Sequence, residues 1–131
     1  MSADLIGPIK TILYDKVEFA LLFGSAIRDG LNNESDIDIG AFLRTPKPTF
    51  KEQLEFSDSL AEALHREVDF IILNTCDVII AMQILANGTM VINNNPGLFV
   101  LYKARKISEY IDFKMDRRII EDNLLKGRIY A

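Results

Sequence analysis

The sequence is short of the residues on which much enzyme chemistry rests. It holds one cysteine, Cys76, and one histidine, His65, in 131 residues. A lone cysteine excludes an intramolecular disulfide, and Cys76 is expected to be a small packed side chain in a reducing compartment. His65 closes a charged segment and is expected to be a surface residue, not a catalyst. No apolar run is long enough to span a bilayer. The opening residues Met1-Ser2-Ala3-Asp4-Leu5 lack the basic start and apolar stretch of a signal peptide. A cytoplasmic location, away from membranes, is the expectation. Positive charge is also scarce: 15 Lys and Arg against 19 Asp and Glu give a net charge of -4. That balance argues against direct nucleic-acid binding, which draws on basic patches. It leaves nucleotides open, because metal ions neutralise a triphosphate locally. Neither internal repeats nor low-complexity segments occur.

What is present suits one globular domain over residues 1–131, because 49% of the residues are hydrophobic. Residues 4–16 read as a short helix, with Leu5, Ile9, Ile12 and Leu13 on one side and Pro8 tolerable near its start. Strands are expected near 17–23 and 36–43. Thr45-Pro46-Lys47-Pro48-Thr49 reads as a stiff loop. Residues 50–65 read as a helix with Phe50, Leu54, Leu60, Ala61 and Leu64 at mostly helical intervals. A strand carrying Asp69 follows. Asn74 or Thr75 is expected to cap a helix over 76–87 that Asn87-Gly88 ends. Residues 89–92 read as a short edge strand and 93–97 as a turn. A helix or helix pair fills 98–126, where Ile107, Ile111, Met115 and Ile119 stand four apart. The basic groups Lys103/Arg105/Lys106 and Arg117/Arg118 read as solvated helix faces.

Chemistry concentrates in residues 23–40. Gly24-Ser25 follows the apolar segment Val17–Leu22 at a tight turn, where backbone N–H groups attract phosphate. Ten residues later comes Asp36-Ile37-Asp38. Strand periodicity points both carboxylates to one face and sends Ile37, Ile39 and Ala41 to the other, toward a core. Two carboxylates on one face repel unless a cation lies between them, and hard divalent cations choose carboxylate oxygens. A calcium loop would need oxygen donors where this chain has Ile and Gly, so that reading fails. Asp69 stands in Val68-Asp69-Phe70-Ile71-Ile72, where a carboxylate is expected to be paired, protonated or metal-bound. A lone Gly-Ser or Asp-x-Asp means little; the fixed gap between them on apolar strands means more.

Together these residues resemble the DNA polymerase β-like nucleotidyltransferase superfamily. Val68–Thr75, Ile84-Leu85-Ala86-Asn87-Gly88 and Ala104–Phe113 narrow the resemblance to the minimal nucleotidyltransferase (MntA-type) antitoxins, which pair with HEPN-domain toxins. The resemblance implies an α/β (α+β) fold, a small mixed sheet flanked by helices as in the polymerase β palm. It implies Mg²⁺, with two ions, and ATP as substrate. It implies transfer of AMP to a tyrosine hydroxyl of a cognate HEPN toxin within a hetero-oligomer. Carried over by position, Gly24 and Ser25 hold the triphosphate, and Asp36, Asp38 and Asp69 hold metal. Arg28 matches a common loop arginine, although Asp29 intervenes before Gly30. Two metals about 3.5–4 Å apart can clamp an in-line displacement at phosphorus. Asp36 and Asp38 would bridge both ions, and Asp69 would ligate the one activating the acceptor and take its proton. Two alternatives differ in class: a nucleotidyltransferase acting on a small molecule such as an antibiotic, and a non-catalytic antitoxin acting by contact.

Overall fold

The structure is a computed structural model that describes residues 2–24 and 36–125. Its elements, in chain order, are α1 (Ser2–Leu13), β1 (Val17–Phe23), β2 (Ile37–Leu43), α2 (Phe50–Leu64), β3 (Val68–Ile72), α3 (Val78–Asn87), β4 (Thr89–Asn93) and α4 (Pro96–Leu125). The strands form one mixed sheet in the order β3-β2-β1-β4. β1 runs antiparallel to both neighbours, and β2 and β3 run parallel. The mixed sheet flanked by helices is the fold expected from the sequence.

Alternation along the strands gives the sheet two apolar faces. On one face Val17, Ala20, Leu22, Ile37, Ile39, Ala41, Phe70 and Ile72 pack with Leu5, Ile9 and Leu13 of α1 and Leu60 and Leu64 of α2. On the other, Phe19 and Leu21 pack with Ala81 and Ile84 of α3 and Tyr102 of α4. The second face is aromatic. Phe19 lies 5.2 Å from Phe42, 5.1 Å from Phe99 and 5.6 Å from Tyr102, centroid to centroid.

The helix ends follow from local chemistry. Thr49 and Glu52 form a reciprocal capping box at the start of α2: the Glu52 N–H donates to Thr49 Oγ1 at 3.2 Å, and the Thr49 N–H donates to Glu52 Oε1 at 3.1 Å. His65 ends α2 in the left-handed conformation (φ 56°) and is exposed, the surface role expected of it. Inside α2 the expected apolar face is shifted. Phe50 and Leu54 are exposed, while Phe56, Leu60 and Leu64 reach the core. The same side of α2 also works on the edge strand β3. Ser57 Oγ donates to Val68 O at 2.8 Å, and Gln53 Nε2 donates to Phe70 O at 2.7 Å. Those carbonyls point away from β2, and the two side chains satisfy them.

Two expected boundaries are corrected. The cap of α3 is Asp77, whose carboxylate accepts from Ile80 N at 2.9 Å, so the helix starts later than residue 76. Asn74 is drawn away by a stronger pairing: its side chain accepts from Leu43 N at 2.8 Å and donates to Leu43 O at 3.0 Å, closing the open end of β2. The turn expected over 93–97 yields to α4, which starts at Pro96. Proline loses nothing in a first turn, and Asn95 Oδ1 caps it by accepting from Leu98 N at 3.1 Å. Tyr102 then ties α4 to the sheet, its hydroxyl donating to Leu73 O at 2.7 Å. Burial pushes the Tyr102 phenol up from its ordinary pKa, with Cys76 beside it adding to the effect. Among the described side chains, Arg66 Nη1 is buried without a hydrogen-bond partner, and nothing in the structure accounts for it.

Candidate active site

Three strand ends meet at one edge of the molecule. β1 ends at Phe23, which pairs with Asp38 of β2. Asp38 in turn pairs with Asp69 of β3 in the parallel register. The register is held at the strand mouth by Ile37 N donating to Glu67 O at 3.0 Å. Because side chains alternate, Ile37, Ile39 and Ala41 point into the aliphatic core, each fully buried. Asp38 and Asp69 therefore share the opposite face, beside each other. Asp36 lies one residue before β2 begins and is exposed.

The electrostatics follow from that register. The Asp38 carboxyl is pushed above the ordinary carboxylate range, chiefly by its own burial, then by Asp69, then by Asp36. Among the described residues none of the three carboxylates is in a salt bridge; the ion pairs are Arg44–Glu18, Lys106–Glu109 and Arg117–Glu121. This is a concentration of negative charge with no cation among the described residues paired to it. Its donor set is hard oxygen, the kind that Mg²⁺ and Ca²⁺ choose. Among the described residues no three His, Cys, Asp or Glu side chains are gathered tightly enough to form a ready metal cage. Mutual repulsion of unbalanced carboxylates opposes such closure.

Asp69 corrects one premise of the sequence reading. Its apolar neighbours suggested burial, yet it is exposed. Val68, Phe70 and Ile72 alternate away from it toward α1 and α2, so the apolar run buries around Asp69 without burying it.

Gly24 closes the site on the β1 side. Its φ of +97° is a conformation that side-chain-bearing residues rarely adopt. The Asp38 carboxylate lies against its Cα: a Cβ built there would overlap Asp38 Oδ2 and stand 2.9 Å from Asp38 Cγ. Ser25 and Arg28, the other expected nucleotide-binding residues, lie outside the described residues. The sequence reading missed the contact between Gly24 and Asp38; no spacing rule signals it, because it depends on the β1–β2 register.

Residues 8–97 match the family described as polymerase beta, nucleotidyltransferase. Among curated proteins none matches the sequence significantly. Solved structures match over nearly the whole chain. A chain of a toxin–antitoxin complex with AMP-PNP is 24% identical with a TM-score of 0.79, over 92% of this chain and 98% of that one. A chain of a complex between a tri-AMPylated Shewanella oneidensis HEPN toxin and an MNT antitoxin is 24% identical with a TM-score of 0.78, over 95% of this chain and 99% of that one. A chain of an MntA–HepT toxin–antitoxin complex is 23% identical with a TM-score of 0.76, over 95% and 99%. At this identity the likeness is one of fold. The family match spans most of the chain, and with the strand-end carboxylates it defines the class: the chain belongs to the polymerase beta family of nucleotidyltransferases. Within that class its fold is the one seen in chains of MntA–HepT-type toxin–antitoxin complexes.

Proposed function

We propose that the chain is a metal-dependent adenylyltransferase that moves AMP from ATP to a tyrosine hydroxyl of a cognate HEPN-domain toxin in the cytoplasm and thereby neutralises it. The observation that carries this reading is the register that sets Asp38 beside Asp69, with Asp36 adjacent and no described cation to balance them. Asp36, Asp38 and Asp69 would hold two Mg²⁺ ions. When bound, such ions neutralise the triphosphate and make the acceptor hydroxyl easier to ionise.

The chain's own residues do the rest. The backbone at Gly24 and the hydroxyl of Ser25 bind the triphosphate, and Arg28 adds positive charge. Asp69 stands next to Asp38 and accepts the proton of the tyrosine hydroxyl. The tyrosine oxygen forms a bond to the α-phosphorus, the bond to the β-phosphate oxygen breaks, and pyrophosphate leaves with the electron pair. Catalysis is mainly positioning and charge balance, which suits a chain with one histidine and one cysteine.

Two findings support the partner. Structures of the same fold include one whose toxin is tri-AMPylated and one with AMP-PNP. The distal half of α4 also carries exposed Ile111, Phe113, Met115, Ile119 and Ile120. A helical segment with that much exposed apolar surface is a protein contact surface, and the toxin is its occupant in this reading. Mass spectrometry of the partner after incubation with ATP and Mg²⁺ tests the proposal: AMP additions on tyrosine with loss of toxicity are expected. Label on a small molecule or RNA would retain the chemistry and end the antitoxin reading. A neutralised yet unmodified partner would leave contact alone.

A further inference from the structure

Gly24 has been given one task so far, presenting backbone to a triphosphate. The structure shows it touching something else. The Asp38 carboxylate occupies the space that a side chain at residue 24 would fill. Asp38 Cγ and Cβ would stand 2.9 and 3.2 Å from a Cβ there, and Oδ2 would overlap it. Phe23, one residue earlier, is the cross-strand partner of Asp38, so the β1–β2 ladder itself brings this Cα under the carboxylate.

We propose that Gly24 is a positioning residue for Asp38: its bare Cα is the seat that holds the Asp38 carboxylate facing Asp36 and Asp69. This rests on the nucleotidyl-transfer reading for its purpose, and on the contact alone for its existence. The physical need is plain. Three like charges spread apart where rotamers allow it, and Asp38 is the middle one. Its carboxylate is the best buried of the three and feels both others. A Cβ at residue 24 would turn the Asp38 side chain to another rotamer and separate it from its neighbours. Left-handed φ at Gly24 is a second, independent reason for glycine, so any test must separate backbone strain from the contact.

Four metal-free proteins make that separation: wild type, Gly24→Ala, Asp38→Ala and the double variant. Gly24→Ala is expected to lower the melting temperature in the wild-type background. In the Asp38→Ala background the drop should shrink by about half or more, since the carboxylate overlap is gone and only strain and the 3.2 Å approach to the residue-38 Cβ remain, and residues in contact are non-additive. Equal drops in both backgrounds would overturn the contact. Mn²⁺ titration of the nucleotide-free protein reads the functional half. Gly24→Ala should weaken Mn²⁺ by about 10- to 100-fold, as loss of a ligand's support does. Unchanged Mn²⁺ affinity with weakened ATP affinity would overturn the proposal and return Gly24 to the triphosphate alone. Wild-type protein that binds no Mn²⁺ would end the metal reading of the site, while the melting cycle still decides whether Gly24 seats Asp38.

Discussion

The two faces of the sheet are built from different materials. The face under α1 and α2 is mainly aliphatic, with one ring pair, Phe56 and Phe70, and it is closed: Ile9, Leu13, Ile37, Ile39 and Leu60 are fully buried there. The face under α3 and α4 has a smaller buried set, centred on Phe19 and Tyr102, and it is open at one end. That open end is where Asp38 and Asp69 sit. The same face also carries α4, whose distal half exposes Ile111, Met115 and Ile119. The lesson is a division of labour within one sheet. One face supplies the larger buried core, and the other, besides its smaller core, supplies a charged strand mouth and, in the proposed reading, a surface for the partner. The strands serve both because alternate residues answer to opposite demands: Ile37 and Ile39 to the core, Asp38 to the site.

The sharpest way to break this division is to neutralise the charged mouth. Asp36→Asn with Asp38→Asn should cut transfer by about a thousandfold or more, because in the proposed mechanism catalysis is charge balance. Melting of the metal-free protein should hold or rise, since repulsion is relieved. Retained activity, read by label transfer from ATP, would show that the carboxylates are not the site.

The reverse experiment strikes the closed face. Leu60→Ala removes a fully buried aliphatic side chain and should cost about 2–5 kcal/mol in denaturant unfolding. The surviving folded fraction should transfer AMP at the normal rate per molecule. A lower specific rate would show that the aliphatic face shapes the site after all.

Asp69→Asn asks whether the carboxylates share one role. Asp69 is exposed and would serve the acceptor, so rate should fall about 100-fold while ATP affinity, read by calorimetry, falls less. Equal losses would merge its role with that of Asp36 and Asp38. On the aromatic face, Tyr102→Phe leaves Leu73 O without its donor and should cost about 1 kcal/mol. Chemical denaturation checks it, and no loss would mean that the ring packing alone holds α4 in place.

The smallest effect is a pH dependence. Burial, Asp69 and Asp36 raise the Asp38 pKa in the folded state, so the folded protein holds that proton more tightly than the unfolded chain. The resulting stability is full below the ordinary carboxylate pKa and is lost as pH rises through the raised value. Melting of the metal-free protein should fall across that window, and Asp38→Asn should flatten the fall.

Much of this was legible in the sequence for definite reasons. β1 and β2 are short apolar runs whose alternation leaves little choice. The closeness of Asp36 to Asp38 was readable from spacing, although Asp36 lies just before β2 and not on it. The exposure of Asp69 was not, because its neighbours are apolar for the sake of the opposite face. Asn74 looked like a cap, but its amide answers the backbone of Leu43, 31 residues away. The seat that Gly24 offers Asp38 was hidden for the same reason: it exists only once β1 and β2 are in register. Local patterns were readable, and contacts made by strand pairing were not.

The central claim is that the charged strand mouth performs nucleotidyl transfer. ATP labelled at the α-phosphate, incubated with the protein and its partner, tests it most directly when wild type is set beside the Asp36→Asn, Asp38→Asn variant, each with Mg²⁺ and with EDTA. The account predicts label on the partner only for wild type with Mg²⁺, with both proteins equally folded by melting. Label transferred by the variant, or by wild type in EDTA, would contradict it.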